Sequence, residues 1–509
     1  MKPPRAARQR CTALWPSARE CSTAVARVSL PVLLALLLGA PSTPAQAQSF
    51  AALARLERSG ALVSAAALDL RDDRLIASRH PDVRLTPASL TKLVTAAAVL
   101  EHWPVDRTFH TRLLSAAPLH DGTLDGDLVL QGAGDPSLDD HAVWALAGEL
   151  RARGITTVSG RLLVSPAPFG RIACETPDRC KALQRAVNAY GAPLAAIGVD
   201  FGTWCISVDP TEPGAPADVH GCGVPLPLSL HGTIRTAPAG ARASYTIERV
   251  TGADGEDQLL LSGTVAPGES QRVYRAMSDP ARGVGELLRE ALRQLGVRVG
   301  GALVVAPAPA TGLAVLADTE GLTLHEQLGR MLRFSNNYIA DVLTLDLAAD
   351  VAGSAPASLA SATGVLSQFL SRVLGSGSRE PTEPRILLSG SGLTPENRLS
   401  ARDLVGLLAH EYHDARRFPG FYGALVVPRD APFDFLRTGS DAWLDRVALK
   451  TGTLQEPSSA CGVAGYLRRA DGSWLAFAAL VNGAPQRPHI PHALALQAER
   501  ADIDALLAP

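Results

Sequence analysis

Lysine is rare in this chain, and its positions suggest where an amine is needed. Of 48 Lys and Arg side chains in 509 residues, only four are Lys: Lys2, Lys92, Lys181 and Lys450. A guanidinium stays protonated in proteins, whereas a desolvated amine can lose its proton and act as a base. Lys92 and Lys450, which both fall in recognisable motifs, are therefore candidates for acid–base chemistry.

The first motif is Ser89-Leu90-Thr91-Lys92, in the first turns of a helix that Pro87 is expected to open. The spacing i, i+3 puts the hydroxyl and the amine on one helical face. Lys92 could then take the proton of Ser89 and activate it as a nucleophile, close to the positive end of the helix dipole. A solvated surface pair would show the same spacing, so this motif alone is weak evidence.

The second motif is Lys450-Thr451-Gly452-Thr453, on a predicted strand near the C-terminus. The amine and the two hydroxyls could hold a substrate carboxylate. Gly452 would let an extended peptide lie close to the strand edge, as in β-strand addition.

The third motif is Ser335-Asn336-Asn337, expected within a helix of residues 324–347 that is capped at Thr323. Ser335 could relay a proton to a leaving amine, and Asn337 could orient Lys92 and a substrate amide. Taken alone, the motif could equally be a set of polar side chains on the exposed surface of a helix.

Other patterns argue against other classes of site. His410 and His413, and also His489 and His492, lie three residues apart, but neither pair fits the H-E-x-x-H pattern of zinc peptidases. We expect surface histidines, no metal site and no cofactor. No nucleotide-binding fingerprint occurs. Without residues 1–47 the chain has 42 basic and 49 acidic side chains, so no basic stripe indicates nucleic acid as a partner.

The first 47 residues are typical of a secretory signal peptide. They combine six basic side chains, an apolar run at residues 28–38 and a small-x-small end, Ala45-Gln46-Ala47. The rest of the sequence contains no other apolar stretch long enough to span a bilayer. We therefore expect export to the periplasm, with at most peripheral membrane contact.

Four of the five remaining cysteines cluster within 49 residues, which suggests two disulfides in an oxidising compartment. Three pairings are possible. We favour Cys174–Cys180 and Cys205–Cys222 because both are local, and expect Cys461 to be a buried, unreactive thiol.

The elements that position the motifs lie at the two ends of the chain. A hairpin at residues 62–78 precedes the Ser89 helix, and strands at residues 446–453, 464–467 and 474–481 surround Lys450. Between them, the pattern of residues 113–311 predicts short strands interrupted by one helix at 281–295. A helix begins after Ser400, a loop covers residues 373–384, and a final helix ends the chain.

The three motifs, in this order, match the S-x-x-K, S-x-N and K-T-G set of penicillin-binding proteins and class A β-lactamases. Gaps of 246 and 115 residues separate Ser89, Ser335 and Lys450. With further stretches such as residues 131–138, 190–193 and 390–393, the chain resembles the D-alanyl-D-alanine carboxypeptidase/endopeptidases of the DacB type, the low-molecular-mass class C penicillin-binding proteins.

The resemblance implies an α/β fold of the penicillin-binding and serine β-lactamase type, with an antiparallel sheet flanked by helices. A catalytic domain of residues 48–112 plus 312–509 would be split by a β-rich insertion, residues 113–311, of two small subdomains. Ser89, Lys92 and Ser335 would be catalytic, and Asn337, Lys450, Thr451, Gly452 and Thr453 would bind substrate. The substrates would be peptidoglycan stem peptides or cross-links, and β-lactams would acylate Ser89.

Two positions depart from the family pattern. Ser389 stands where the family usually has Asp before Gly390-Ser-Gly-Leu393, and Ser165 where the insertion often carries an Asp. A β-lactamase and a non-catalytic peptidoglycan-binding protein are the alternatives to a peptidase. The balance between carboxypeptidase and endopeptidase, the diamino acid of the stem peptide and the oligomeric state stay open.

Overall fold

The computed structural model describes residues 50–309, 311–375 and 383–507. The predicted signal peptide lies outside these residues, as does most of the predicted loop at 373–384. The α-helices are α1 Ala51–Arg58, α2 Thr91–His102, α3 Asp140–Ala152, α4 Pro177–Ala182, α5 Pro280–Gln294, α6 Leu324–Arg333, α7 Asn337–Ala352, α8 Leu359–Leu374, α9 Ala401–Tyr412, α10 Phe418–Gly423, α11 Asp441–Arg446 and α12 His492–Leu507. Short 3₁₀ helices cover Ala88–Leu90 and Pro428–Asp430.

The strands are numbered in chain order. They are β1 Ala61–Asp69, β2 Arg74–Arg79, β3 His110–Ser115, β4 Leu119–His120, β5 Thr123–Leu124, β6 Leu128–Gly132, β7 Thr157–Val158, β8 Leu162–Ser165, β9 Arg185–Ala186, β10 Thr203–Asp209, β11 Asp218–Gly221, β12 Ser229–Gly232, β13 Arg235–Thr236, β14 Ser244–Thr251, β15 Asp257–Val265, β16 Gln271–Ala276, β17 Arg298–Val299, β18 Leu303–Val305, β19 Ala314–Glu320, β20 Val447–Leu454, β21 Ala460–Arg468 and β22 Trp474–Gly483.

A five-stranded antiparallel sheet joins the two ends of the chain in the order β2-β1-β22-β21-β20. Helices α2, α6, α7, α8 and α9 contribute to the apolar core on one face, and α1, α11 and α12 to that on the other. Because both faces are covered, strands such as β21 are buried almost throughout and lack polar alternation. The predicted hairpin, C-terminal strands and sheet type are confirmed, and β20 lies at the sheet edge.

Helix α2 is the central helix of this part of the molecule. Its residues from Thr91 to Leu100 are all buried, Lys92 among them. The many small side chains of the run Thr95-Ala96-Ala97-Ala98 let neighbouring helices approach on every side. The sequence therefore forces the Lys92 amine into a site from which bulk water is excluded.

Residues between β3 and β19 form the other four sheets. Their orders are β11-β10-β16, β12-β15-β14-β9, β17-β7-β5-β4 and β18-β8-β6-β3-β19, with β13 added to the second beside β15. The expectation of a single helix here was wrong, since α3 and α4 accompany α5. The α3 pattern was present in the sequence: Asp139 caps it, and Val143, Leu146, Ala147 and Leu150 form its buried face.

The predicted continuous helix of residues 324–347 is two helices. Its start is confirmed, since Thr323 and Glu326 form the capping box of α6. However, α6 ends at Arg333, and Ser335 adopts a left-handed conformation with φ of 56°. The Asn336 side chain then accepts a 3.0 Å hydrogen bond from Ile339 N and caps α7. Ser335 consequently lies in a turn between the two helices and not within a helix.

The two favoured disulfides, Cys174–Cys180 and Cys205–Cys222, are both present. Cys461 is a free, buried cysteine, and burial together with the charge of Glu499 raises the pKa of its thiol to about 12. Such a thiol is unreactive at neutral pH. Among the described residues, we find no helix that is both long and apolar enough to cross a membrane.

Candidate active site

Ser89 lies in the 3₁₀ turn that leads into α2, at the edge of the central sheet. Ala88 just before it has φ of 48°, a strained value for a residue with a side chain. Gly392 packs against this turn so closely that a Cβ atom there would lie 1.9 Å from the Ala88 carbonyl oxygen. The nucleophile turn is thus held from outside as well as by its own helix.

The Lys92 amine is surrounded by three oxygen atoms. Its Nζ lies 2.7 Å from Asn337 Oδ1, 2.6 Å from the Ser391 carbonyl oxygen and 2.9 Å from Ser89 Oγ. Asn337 Oδ1 and the carbonyl can only accept hydrogen bonds, so they take the two N–H bonds of a neutral amine. The remaining lone pair then faces the Ser89 hydroxyl, which can donate to it.

The environment favours this neutral form. Burial lowers the pKa of Lys92 well below its ordinary value, and the positive charge of Lys450 lowers it further. Asp341 acts in the opposite direction, and Arg179 adds to the lowering. Lys92 is thereby suited to accept a proton.

Ser335 and Lys450 form a second hydroxyl–amine pair. Lys450 Nζ lies 2.9 Å from Ser335 Oγ and donates a 2.6 Å hydrogen bond to the Thr451 carbonyl oxygen. Burial lowers the pKa of Lys450 to about 7, so the amine exchanges its proton near neutrality. The left-handed turn at Ser335 brings this hydroxyl to β20.

Strand β20 forms the outer edge of the central sheet beside the nucleophile. Leu449 exchanges two hydrogen bonds of 2.9 Å with Val426 across this edge. Since strand residues alternate in direction, the backbone groups of Thr451 and Thr453 face the same side as those of Leu449. Gly452 permits close contact, because a Cβ atom there would lie 2.7 Å from Pro87 O and 3.2 Å from Ser89 N.

The turn after Ser389 supplies the carbonyl that holds Lys92. Ser389 is fully buried, and its Oγ accepts hydrogen bonds from Gly392 N at 3.1 Å and Thr394 N at 3.5 Å. Asn397 donates to the Ser389 carbonyl oxygen at 3.0 Å and to Thr91 Oγ1 at 3.2 Å. The Ser at 389 thus has a structural role in the turn. Ser165, at the other departing position, is buried at the end of β8, with Oγ 3.4 Å from Ala167 N.

The eight predicted site residues therefore lie together: Ser89, Lys92, Ser335, Asn337, Lys450, Thr451, Gly452 and Thr453. Four further contributors were missed. One is Ser391, whose carbonyl oxygen accepts a hydrogen bond from Lys92. The Tyr190 carbonyl oxygen accepts a 3.2 Å hydrogen bond from Asn337 Nδ2, and Asp341 and Arg179 lie behind the site. A carboxylate four residues after Asn337 in an apolar helix was the available signal for Asp341.

The histidines of the first pair, His410 and His413, each contact another ionisable side chain. His413 Nε2 lies 3.0 Å from Asp73 and His410 Nε2 lies 2.8 Å from Arg417 Nη2. His410 is half-buried rather than a surface residue. Over residues 50–309, 311–375 and 383–507, no group of three or more His, Cys, Asp or Glu side chains is arranged to hold a metal ion.

Comparison with known proteins decides the family. The model of the D-Ala-D-Ala carboxypeptidase 3 (S13) family matches residues 46–505. The chain belongs to this family. It is 31% identical over 416 residues to a D-alanyl-D-alanine carboxypeptidase of Actinomadura sp. (strain R39), covering 76% of this chain and 73% of that one. It is 25% identical to the DacB carboxypeptidase of Haemophilus influenzae, covering 69% and 71%.

Solved structures agree in fold. The crystal structure of penicillin-binding protein 4 (DacB) from Haemophilus influenzae superposes with a TM-score of 0.70 at 22% identity, covering 90% of this chain and 99% of that one. The same protein has been solved in complex with a β-lactam. The α/β penicillin-binding fold with an insertion is confirmed. As a member of the S13 family, the protein is a serine-type D-Ala-D-Ala carboxypeptidase or DD-endopeptidase.

Proposed function

We propose that Ser89 is the nucleophile and Lys92 the base that cleaves D-Ala-D-Ala ends or cross-links of peptidoglycan through an acyl-serine intermediate. The observation that carries this proposal is the arrangement at Lys92. Its amine is buried, both of its N–H bonds have pure acceptors, and Ser89 Oγ lies 2.9 Å away. This is the geometry of an activated serine.

In the acylation step, Ser89 Oγ attacks the carbonyl carbon of the penultimate D-Ala while its proton passes to Lys92. The developing oxyanion would accept hydrogen bonds from the backbone N–H groups of Ser89 and Thr453. The close packing of Gly452 against Ser89 N supports this pairing, because it keeps strand and turn adjacent.

Breaking of the C–N bond requires a proton on the leaving amine. We assign this transfer to Ser335 and Lys450, whose Oγ and Nζ are hydrogen-bonded. Protonated Lys450, with Thr451 and Thr453, would also bind the carboxylate of the terminal D-Ala. Asn337 would orient the substrate amide while it holds Lys92.

Water then hydrolyses the acyl ester, which regenerates Ser89 and releases the shortened peptide. A β-lactam would be attacked by Ser89 in the same way. Since its amine stays tethered to the acyl group, the adduct would persist, so β-lactams would be covalent inhibitors.

The predicted signal peptide and the two disulfides support a periplasmic setting for this enzyme. We also propose a catalytic domain, 48–112 plus 312–509, that is split by an insertion, 113–311. The sheets support such a division but shift its edges: the central sheet uses β1, β2 and β20 to β22, whereas β3 and β19 pair with each other in a sheet of the inserted region.

The test is hydrolysis of two substrates by the mature protein and by Ser89→Ala. A pentapeptide ending in D-Ala-D-Ala reports carboxypeptidase activity by released D-Ala, and a cross-linked muropeptide dimer reports endopeptidase activity. Either activity, lost in the variant, supports the proposal. Rapid turnover of benzylpenicillin without peptide hydrolysis would indicate a β-lactamase, and activity retained in Ser89→Ala would refute the assigned nucleophile.

A further inference from the structure

Behind the proposed active site, a fully buried ion pair joins the inserted region to the catalytic helices. Arg179 Nη2 donates a 2.7 Å hydrogen bond to Asp341 Oδ2, and the two side chains are 2% and 0% exposed. Arg179 Nε also donates to the Ala192 carbonyl oxygen at 3.1 Å. Burying two charges is costly, so such a pair calls for a specific role.

The Arg179 side of the pair is tightly fastened. Arg179 lies in α4, next to Cys180, and the Cys174–Cys180 disulfide closes a segment that includes the first part of this helix. Thr176 caps α4 by accepting a hydrogen bond from Arg179 N. The guanidinium is therefore presented to α7 from a covalently closed loop.

The Asp341 side leads directly to Lys92. Asp341 Oδ1 accepts a 2.8 Å hydrogen bond from Ser391 N, and the Ser391 carbonyl oxygen accepts one of 2.6 Å from Lys92 Nζ. Asp341 lies four residues after Asn337, on the same face of α7, and Asn337 holds the other N–H of Lys92. The pair thus supports the Ser391 acceptor of the amine through one hydrogen bond, and it lies on the same helix as the Asn337 acceptor.

We propose that Arg179 and Asp341 are positioning residues for Lys92, and that together they let its amine be neutral while its Ser391 acceptor is held in place. Asp341 alone would serve the geometry, but its negative charge favours the protonated form of Lys92. The positive charge of Arg179 offsets part of that effect. This inference rests on the proposed role of Lys92 as the base.

The charged groups around Lys92 have opposite effects on the pKa of its amine. The ionisable groups that act on its amine are Lys450 from β20, Asp341 from α7 and Arg179 from α4. Removal of Arg179 removes a group that lowers the pKa of Lys92, and removal of Asp341 removes one that raises it. The two substitutions should therefore shift the titration of Lys92 in opposite directions, which loss of folding alone would not do.

The experiment measures the second-order rate constant of acylation by benzylpenicillin as a function of pH. The acidic limb is the part of the pH–rate profile over which Lys92 loses its proton. In Arg179→Met this limb should move to higher pH by about one unit, so that the rate at a fixed pH on the limb falls about tenfold and recovers in alkali. In Asp341→Asn, which keeps an acceptor for Ser391 N, the limb should move to lower pH. The double variant should return toward the wild-type position.

A buried arginine elsewhere provides the matched control. Arg417 pairs with the buried Glu411, and Arg417→Met should lower stability without moving the acidic limb. If Arg179→Met does not fold, the double variant must still titrate at higher pH than Asp341→Asn. If the acidic limbs of the pH–rate profiles of these variants coincide with that of the wild-type protein, the inference is overturned. Absence of acylation in the wild-type protein would instead overturn the proposed function.

Discussion

Gly452 and Ser89 lie in direct backbone contact. A Cβ atom on Gly452 would stand 3.2 Å from Ser89 N and 2.7 Å from Pro87 O. The sequence predicts that this glycine admits an extended substrate to the strand edge. In the structure its first role is to admit the nucleophile turn, which brings Ser89 to the outward backbone groups of β20.

Gly452→Ala should therefore separate the strand from the turn. A displacement of even 1 Å at reacting groups can cost about a hundredfold in rate, and we expect acylation by benzylpenicillin to slow by about that factor. Gly148→Ala in α3, where a Cβ atom meets nothing within 4 Å, is the control and should react normally. Normal acylation of Gly452→Ala would show that the contact is not needed.

The titration of Lys450 predicts how substrate binding depends on pH. Burial lowers its pKa to about 7, so the amine is charged below this pH and neutral above it. If the charged form binds the terminal carboxylate, KM should rise above pH 7, by at most about tenfold per unit.

The comparison that checks this uses two peptides, one ending in free D-Ala and one in the D-Ala amide. Only the first should show the rise in KM from pH 7 to pH 9. Equal pH dependence of KM for both peptides would contradict the assignment of Lys450 to the carboxylate.

Ser389 should contribute to stability through its hydroxyl. Ser389→Ala leaves the buried N–H groups of Gly392 and Thr394 without this acceptor. We expect the free energy of unfolding in urea to fall by about 2 kcal/mol. Acylation should slow as well, since the same turn carries Ser391. Ser367→Ala, on a half-buried helix surface, should change stability by less than about 0.5 kcal/mol.

Much of this site could be predicted because its chemistry depends on local patterns. The i, i+3 spacing of Ser89 and Lys92 and the run from Lys450 to Thr453 were visible in the sequence. So were the hairpin and the edge strand that position them. Both predicted disulfide pairings are present. They join cysteines that are close in sequence, and such pairings restrict the path of the chain least.

What could not be predicted depends on contacts between distant segments. The Arg179–Asp341 pair joins residues 162 positions apart, and the Ser391 carbonyl reaches Lys92 across 299. The turn at Ser335 was missed because residues on both its sides favour helix. The Ser335 hydroxyl in this turn contacts Lys450, which is 115 residues away, and no local pattern reveals that contact.

The central claim, that Ser89 activated by Lys92 forms an acyl-enzyme, is tested most directly by intact mass after incubation with benzylpenicillin. The account predicts one stable adduct per chain, located on the peptide that contains Ser89. It also predicts no adduct in Ser89→Ala or in Lys92→Arg, whose guanidinium cannot serve as a neutral base. An adduct that persists in Ser89→Ala, or a wild-type protein that neither binds nor hydrolyses the drug, would contradict it.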